Sequence, residues 1–519
     1  MVLFTDSWWP RLRACARALR CVDVLAVLAL GLWAALPSYA QSPVRGGVLS
    51  ISLESDLPGI DPVVFASNND KQAGILVYDT LLDVDKKGKL IPHLAESFES
   101  TPDATRFKIT LRRGVKFHDD TPFDAAAVVA HFHRLMNPAT RYKGLSALKD
   151  LESVSVTSDL EVTFKMKSPS AQFLSLLTEA PGMVVSPAAV KKYGENYLSS
   201  PVGAGPFVFK EWRRGSQIVF TRNSNYWKGP VHLDEVILRP MSDEQTRVAS
   251  LKAGNLDIAM NAPAKDVIEA RNDKKFQVYD PGSLGSNFLQ INLTQPDVSD
   301  IRVRQALAHA IDRAVITKVI TRGLSKVANT PFGSDLPPHE LVDAYPQYDP
   351  AKSKALLAAY GKPVKLKFTI STSPLSGLLA QAIQQMWKKV GIETEITPLE
   401  FVQLIRASST RQYQVMLYRF QGGSDPDRNV YSFFHSKGNN NVTALDNPEM
   451  DRLLEAGRAT LDPAERLKVY RQVNNLLARE LPYLFLYYFN NYIIAQANIK
   501  GIQPNPDGII RAGTVWKER

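Results

Sequence analysis

Apolar and small polar residues alternate at period two through Val48-Leu49-Ser50-Ile51-Ser52-Leu53, which predicts a half-buried strand, and Pro58-Gly59-Ile60-Asp61-Pro62 ends it. Phe107 to Arg112 predicts another strand. Val154 to Thr157 and Leu160 to Lys167 predict a hairpin turning at Ser158-Asp159. Between these strands Ala125 to Met136 reads as a helix with Asp124 as its N-cap, and Gly114, between Arg113 and Val115, reads as a turn glycine. A second strand-rich block follows Gly203-Ala204-Gly205-Pro206-Phe207, with Ile218-Val219-Phe220 and Val236 to Arg239 as its clearest members. From Ile301 the pattern changes. Val303, Ala306, Leu307, Ala310, Ile311, Ala314 and Val315 recur at three and four, predicting one long amphipathic helix.

Val364 to Pro398 then reads strand, helix, strand, a βαβ unit that implies parallel pairing. Helices over Asn447 to Ala459 and Pro463 to Glu480 precede an apolar strand, Leu484 to Phe489. A β-rich first half is thus followed by an α/β second half and a tail too short to be a domain. Such a tail must pack on something already made, so residues 491–519 are expected to return to the first lobe. Two crossings between lobes follow, with a hinge near Pro281 to Asn287 and Phe485 to Tyr492.

The first forty residues read as a secretory leader: Arg11, Arg13, Arg17 and Arg20, the apolar run Val24 to Ala35, Pro37, then small residues at Ser38 and Ala40 that set cleavage after Ala40. A retained anchor is the alternative, but the run falls short of the ~20 residues a spanning helix needs. Both cysteines, Cys15 and Cys21, lie in this leader, so no thiol chemistry or disulfide is expected in the mature chain, and Cys21 precedes the apolar run, the wrong order for a lipid-modified cysteine. Removing the leader's four arginines and two aspartates lowers the formal charge from +10 to +8. The charges are interspersed, with no basic block of the kind that tracks nucleic acid. A mature chain of this length is expected to hold more than one domain, and two lobes is the natural division.

Five blocks carry a resemblance. They are Leu94-Ala95-Glu96-Ser97-Phe98 with Pro102-Asp103; Leu111 to Phe123; Gly203 to Phe207; Asn223-Ser224-Asn225-Tyr226-Trp227 preceded by Trp212; and Arg302 to Leu307 with Ala310 to Arg313. In this order they resemble the family 5 extracellular solute-binding proteins of ABC importers, the group with dipeptide, oligopeptide, glutathione and nickel receptors. The resemblance implies an α/β, two-lobe periplasmic-binding-protein (Venus-flytrap) fold, with lobe I over 41–284, an extra subdomain near 82–200, lobe II over 285–490 and a return to lobe I over 491–519. It implies a monomer that encloses a small solute between its lobes and presents the closed form to a membrane permease. Peptide is the expected ligand, with glutathione-like compounds, small organic anions and metal chelates as alternatives. No cofactor or metal is expected.

In peptide-binding relatives a loop after a lobe II strand carries an aromatic residue and then an acid for the ligand's amino terminus. Here that stretch resembles Tyr418-Arg419-Phe420-Gln421-Gly422-Gly423-Ser424-Asp425-Pro426-Asp427. Phe420 can stand for the aromatic, but Gly422 and Gly423 occupy the place of the acid, leaving Asp425 either as a substitute amine partner or as the cap of its own turn. Arg419 is either a clamp for a carboxylate or phosphate or a solvent-facing arginine on a strand. Asn287, Phe288 and Asn292 lie at the first crossing, and by analogy Glu54, Asp56 and Tyr78 lie on the cleft side of early strands.

Catalytic readings find little to rest on. His131 and His133 are two apart on a helix and face apart, and no zinc-protease spacing, Gly-x-Ser-x-Gly elbow or Gly-Lys-Ser/Thr loop occurs. His309 and His435 read as satisfied side chains, and the adjacent carboxylates Asp119-Asp120 point apart on a turn. A secreted hydrolase is the alternative that a turnover assay separates from a receptor.

Overall fold

The computed structural model describes residues 43–85, 88–340 and 342–518; the leader and its cleavage position lie outside them. Val44 onward forms one compact unit. A seven-stranded mixed sheet organises the first lobe, in the order Phe276–Tyr279, Ile493–Gln496, Ile258–Ala259, Val48–Leu53, Glu235–Pro240, Gln217–Arg222, Phe207–Arg213. The strand predicted as half-buried is central. Only Val48 is exposed, because Val48–Leu53 pairs in parallel with Glu235–Pro240 on one side and Ile258–Ala259 on the other. Its two serines tolerate burial because their hydroxyls are used: Ser50 Oγ donates to Asp257 (3.0 Å) and Ser52 Oγ accepts from Met260 N (3.0 Å).

A four-stranded antiparallel sheet (Ala95–Ser100, Arg106–Leu111, Glu161–Met166, Leu151–Ser158) extends the first lobe. Helix Ala125–Met136 packs on it, and Asp124 caps that helix by accepting from Ala127 N at 2.8 Å. Phe107, Phe132, Phe164 and Phe173 fill the space beneath, with ring centroids 4.8–5.0 Å apart.

The second lobe is built on a five-stranded sheet, Glu393–Leu399, Lys365–Ser371, Val415–Phe420, Ser286–Ile291, Tyr483–Tyr488. Its first two strands are parallel and joined by helix Pro374–Lys388, which buries Leu379, Ala380, Ile383 and Trp387 on them. The long helix expected from Ile301 is two, Ile301–Ala310 and Arg313–Ile320. Ile311 is extended, and Asp312 caps the second helix by accepting from Val315 N at 2.9 Å. The break turns Arg313 inward, where it donates to the carbonyls of Ala328 and Pro346, and leaves Val315 44 % exposed. Ala314 and Val315, which the spacing places on the buried stripe, face outward, because the break at Ile311 and Asp312 changes which side of the chain is buried, and periodicity alone does not register a capping aspartate between two helices.

The chain leaves the first sheet after Tyr279, enters the second at Ser286, and returns between Tyr488 and Ile493. At the first crossing two loops meet backbone to backbone. A Cβ on Gly285 would lie 2.0 Å from the Phe420 carbonyl oxygen, and one on Gly422, whose φ is +78°, would lie 1.9 Å from that of Leu284. Gly285→Ala is therefore expected to cost more than ~1 kcal/mol, because neither partner is a side chain that can move aside. Scanning calorimetry should show the corresponding melting transition lowered by at least ~2 °C; an unchanged transition would contradict the contact.

Candidate functional site

Strand Val415–Phe420 ends at the cleft, and the loop after it enters helix Pro426–Phe434 through Asp-Pro-Asp. Asp425 caps that helix by accepting from Asp427 N at 2.9 Å, with Pro426 in the first turn, where a missing N–H costs nothing. Its carboxylate is also gripped by Arg466 through two bonds of 2.7 and 2.9 Å. Burial pushes the Asp425 carboxyl up, but the Arg466 guanidinium outweighs it and holds the group below the ordinary carboxylate range. Asp427 is fully buried against Arg458, whose Nε lies 3.0 and 3.1 Å from the two oxygens; here burial prevails and the carboxyl is raised. Asp425 is thus spent on its helix and on Arg466, which corrects its reading as an amine partner.

This ion-pair system reaches across to the first lobe through Arg458 and Asp425. Arg458 donates to Asp150 at 3.1 Å, its carbonyl accepts from Ala171 N at 3.0 Å, and Ser175 Oγ donates to Asp425 at 3.4 Å. Arg428 lies 3.5 Å from Glu179, which also pairs with Lys71 at 3.2 Å. Lys71 continues to Asp507 at 3.0 Å, and Arg511 ties Asp507 to Asp83. Burial raises the Asp507 carboxyl, yet Arg511 and Lys71 together hold it far below its ordinary value, and Arg511 does the same for Asp83 less strongly. Lys71, Thr178 and Glu179 of the first lobe and Ser424 of the second, with Leu284 at the crossing, line a cavity of ≈ 10 Å³, room for about one water, beside the Arg428–Glu179 contact between the lobes. A larger concavity of ≈ 440 Å³ opens at the hinge among Asp280, Gly282, Lys326, Asp335 and Asn490. Its carboxylates are occupied locally: Asp280 accepts from Gly282 N and Asn490, and Asp335 from Ser283 N and Ser334.

Several residues singled out from the sequence are structural. Tyr78 is fully buried in the first-lobe core with its hydroxyl 2.9 Å from the Ile60 carbonyl and 3.1 Å from the Tyr197 hydroxyl, so it is no cleft wall. Asp56 accepts from Trp212 Nε1 and Gly215 N and fixes a turn. Asn292 is buried and donates to the carbonyls of Arg411 and Tyr413. Phe288 is a core residue stacked on Tyr483 at 4.3 Å, and Phe420 packs against Phe433 at 4.7 Å. Gly422 serves the crossing, and Gly423 N donates to Asn429 at 2.8 Å. His309 is bonded to the Gln347 carbonyl and His435 is paired with Glu455; Asp119 binds Ser186 and Thr121, while Asp120 turns the chain at φ +65°.

Arg419, Asn287 and Glu54 remain, and they come together. Arg419 and Tyr487 both stand opposite Asn287 on the neighbouring strands, so the three side chains form one row on a single face of the lobe II sheet. Asn287 is 8 % exposed, and its Nδ2 has no acceptor among the described residues. The Arg419 guanidinium lies over the Phe489 ring at 4.7 Å and makes no hydrogen bond among the described residues. Glu54, just past the end of Val48–Leu53 in the first lobe, is 3.9 Å from it across the cleft. The two side chains are 49 % and 32 % exposed, so the pair is worth at most ~1 kcal/mol. The Asp150–Arg458–Asp427 chain, which the sequence reading missed, is far less exposed; Arg458 lies 308 residues from Asp150 and 31 from Asp427, and no local spacing signals either pairing.

Two lobes on separate sheets, joined by two crossings and meeting along a line of charged and amide groups, define a protein that closes over a solute. The model for "Bacterial extracellular solute-binding proteins, family 5 Middle" matches residues 89–441. The chain belongs to this family: it is a substrate-binding component of an ABC importer and not an enzyme. It is 27 % identical over 500 residues to the glutathione-binding protein GsiB of Salmonella paratyphi A, covering 92 % of this chain and 96 % of that one. The GsiB of Pectobacterium atrosepticum is 28 % identical, covering 89 % and 92 %. Among solved structures, the periplasmic binding protein DppA of Helicobacter pylori with the peptide STSA superposes with a TM-score of 0.82 at 23 % identity, covering 92 % and 99 %. The binding protein AgaA of A. tumefaciens R10 with agropinic acid gives 0.79 at 27 %, covering 91 % and 99 %.

Removing Arg458 leaves Asp427 buried and unpaired, so Arg458→Met should cost ~3–5 kcal/mol in chemical denaturation. Asp150→Asn, which strips only the outer partner, should cost under about 1 kcal/mol; equal effects would contradict the asymmetry. Asp507 and Asp83 are depressed, so their stabilisation is complete above the unfolded-state value of about 3.9 and is lost as the pH falls through the folded values. The melting temperature should therefore drop steeply below about pH 4. Asp507→Asn should be less stable at neutral pH and lose less on acidification; parallel curves for the two proteins would contradict the assignment.

Proposed function

We propose that this chain is a monomeric periplasmic receptor, exported by a leader cleaved after Ala40, that captures a small peptide-like solute and delivers it to its inner-membrane permease. Lobe I spans 41–284 with its extra subdomain near 82–200, lobe II spans 285–490, and 491–519 completes lobe I; the strands from 276 to 291 and from 483 to 496 support the crossings. The observation that carries the ligand reading is the row of unfilled donors, Asn287 Nδ2 and the Arg419 guanidinium, opposite the Glu54 carboxylate. Such a row suits a ligand with its own charged groups, because a buried donor without an acceptor costs free energy that a ligand oxygen recovers.

Glycine at 422, closed against the Leu284 carbonyl, favours a ligand whose amine is held elsewhere than on this loop. The glutathione-binding relatives make glutathione the first compound to try. Mass spectrometry of compounds released by denaturing protein purified from a periplasm should find an intact peptide-like compound, and adding it back should raise the melting temperature. Protein that releases no such compound, and that no peptide-like compound stabilises, would sink this reading.

A further inference from the structure

The cross-cleft pair has a polarity as well as a position. Glu54 places a negative charge on the first lobe and Arg419 a positive charge on the second, 3.9 Å apart and with no hydrogen bond between them. Asn287 Nδ2 adds a second unfilled donor beside Arg419, and no acid among the described residues approaches Arg419 within ion-pair distance except Glu54. Phe489 beneath the guanidinium and the bond from Glu54 N to Asn69 Oδ1 (3.4 Å) hold the two ends of this arrangement in place. A ligand that fits it needs a negative group for Arg419 and Asn287 and a positive group for Glu54, spaced about as the two protein charges are.

Resting on the peptide-like reading above, we propose that Glu54, Arg419 and Asn287 form a subsite for an α-amino-acid head group, an ammonium and a carboxylate on one carbon. The head group lies beside the Glu54–Arg419 pair with reversed polarity. Its ammonium donates to Glu54, and its carboxylate accepts from Arg419 and from Asn287 Nδ2. Four charges of alternating sign then sit together, and the orphaned amide gains its acceptor. A linear peptide with a free amine at one end and a free carboxylate at the other cannot satisfy this row with both, because its two charges are separated by the chain. A γ-linked glutamyl compound can, because its glutamyl residue keeps both groups on one carbon. Ligand thereby replaces a loose cross-cleft pair by bonded contacts to both lobes, which couples recognition of the head group to closure.

The test is titration calorimetry of ligand-stripped protein with three probes: glutathione, glutaryl-cysteinylglycine, which lacks only the amine, and 4-aminobutyryl-cysteinylglycine, which lacks only the α-carboxylate. The wild type should bind each truncated probe at least about tenfold more weakly than glutathione. Glu54→Gln should lose a similar factor for glutathione and nothing further for the glutaryl probe. Arg419→Met and Asn287→Ala should do so for the aminobutyryl probe, with melting curves verifying that each variant is folded. Equal affinity of the wild type for all three probes, or losses from variant and truncation that multiply, would overturn the subsite and leave the peptide-like reading standing. Should none of the three probes nor the dipeptide Ala-Ala bind the wild type, the peptide-like reading itself falls, and the subsite with it.

Discussion

The cleft depends on two carboxylates separated by one proline. Asp425 and Asp427 start the helix that follows strand Val415–Phe420, and each is neutralised by an arginine from a later helix, Arg466 and Arg458. An acid at a helix start is favoured by the unpaired N–H groups there, but two buried acids two residues apart repel each other and are tolerated only because both are paired. With the helix start fixed, the loop Gln421–Ser424 has one course left, under the Leu284 carbonyl and past Gly285. The end of strand Val415–Phe420, and with it Arg419, is therefore set by an ion-pair system on the loop's far side.

Magnitudes separate the contacts between the lobes into two kinds. Asp150 and Ser175 join carboxylates and guanidinia that are already buried and charge-balanced, so they refine a contact that packing has made. The Glu54–Arg419 pair is half exposed and unbonded, and screening leaves it little energy of its own. A loose pair is the more useful one for a receptor, since a ligand that takes its place gains charge-assisted bonds while giving up almost nothing. Asn287 adds to this asymmetry, being buried enough that its empty donor is costly until something accepts from it.

Much of the architecture was legible from local pattern. The helix Ala125–Met136, the parallel unit around Pro374–Lys388 and the helix Pro463–Glu480 follow from caps and periodicity, both of which act over a few residues. The split at Asp312 was hidden because Ala314 and Val315 happen to continue the three-and-four spacing of the first helix, although both are exposed in the second. Val48–Leu53 looked half-buried because serine reads as polar whether or not its hydroxyl finds a partner inside. In the loop that the resemblance singles out, local pattern does not separate residues that hold the loop from residues that face the cleft. Asp425 and Tyr78 are satisfied by Arg466 and by Ile60 and Tyr197, and such distant partners leave no mark on the sequence around them. Arg419, Asn287 and Glu54 emerge from their unfilled bonding capacity, which only three-dimensional geometry reveals.

The central claim is that a solute held between the lobes brings them together. Small-angle X-ray scattering from ligand-stripped protein titrated with glutathione tests it most directly. The account predicts a smaller radius of gyration at saturation, reached over the same concentration range as binding measured by calorimetry. Binding and thermal stabilisation with an unchanged radius of gyration would contradict it, since ligand and closure would then be uncoupled.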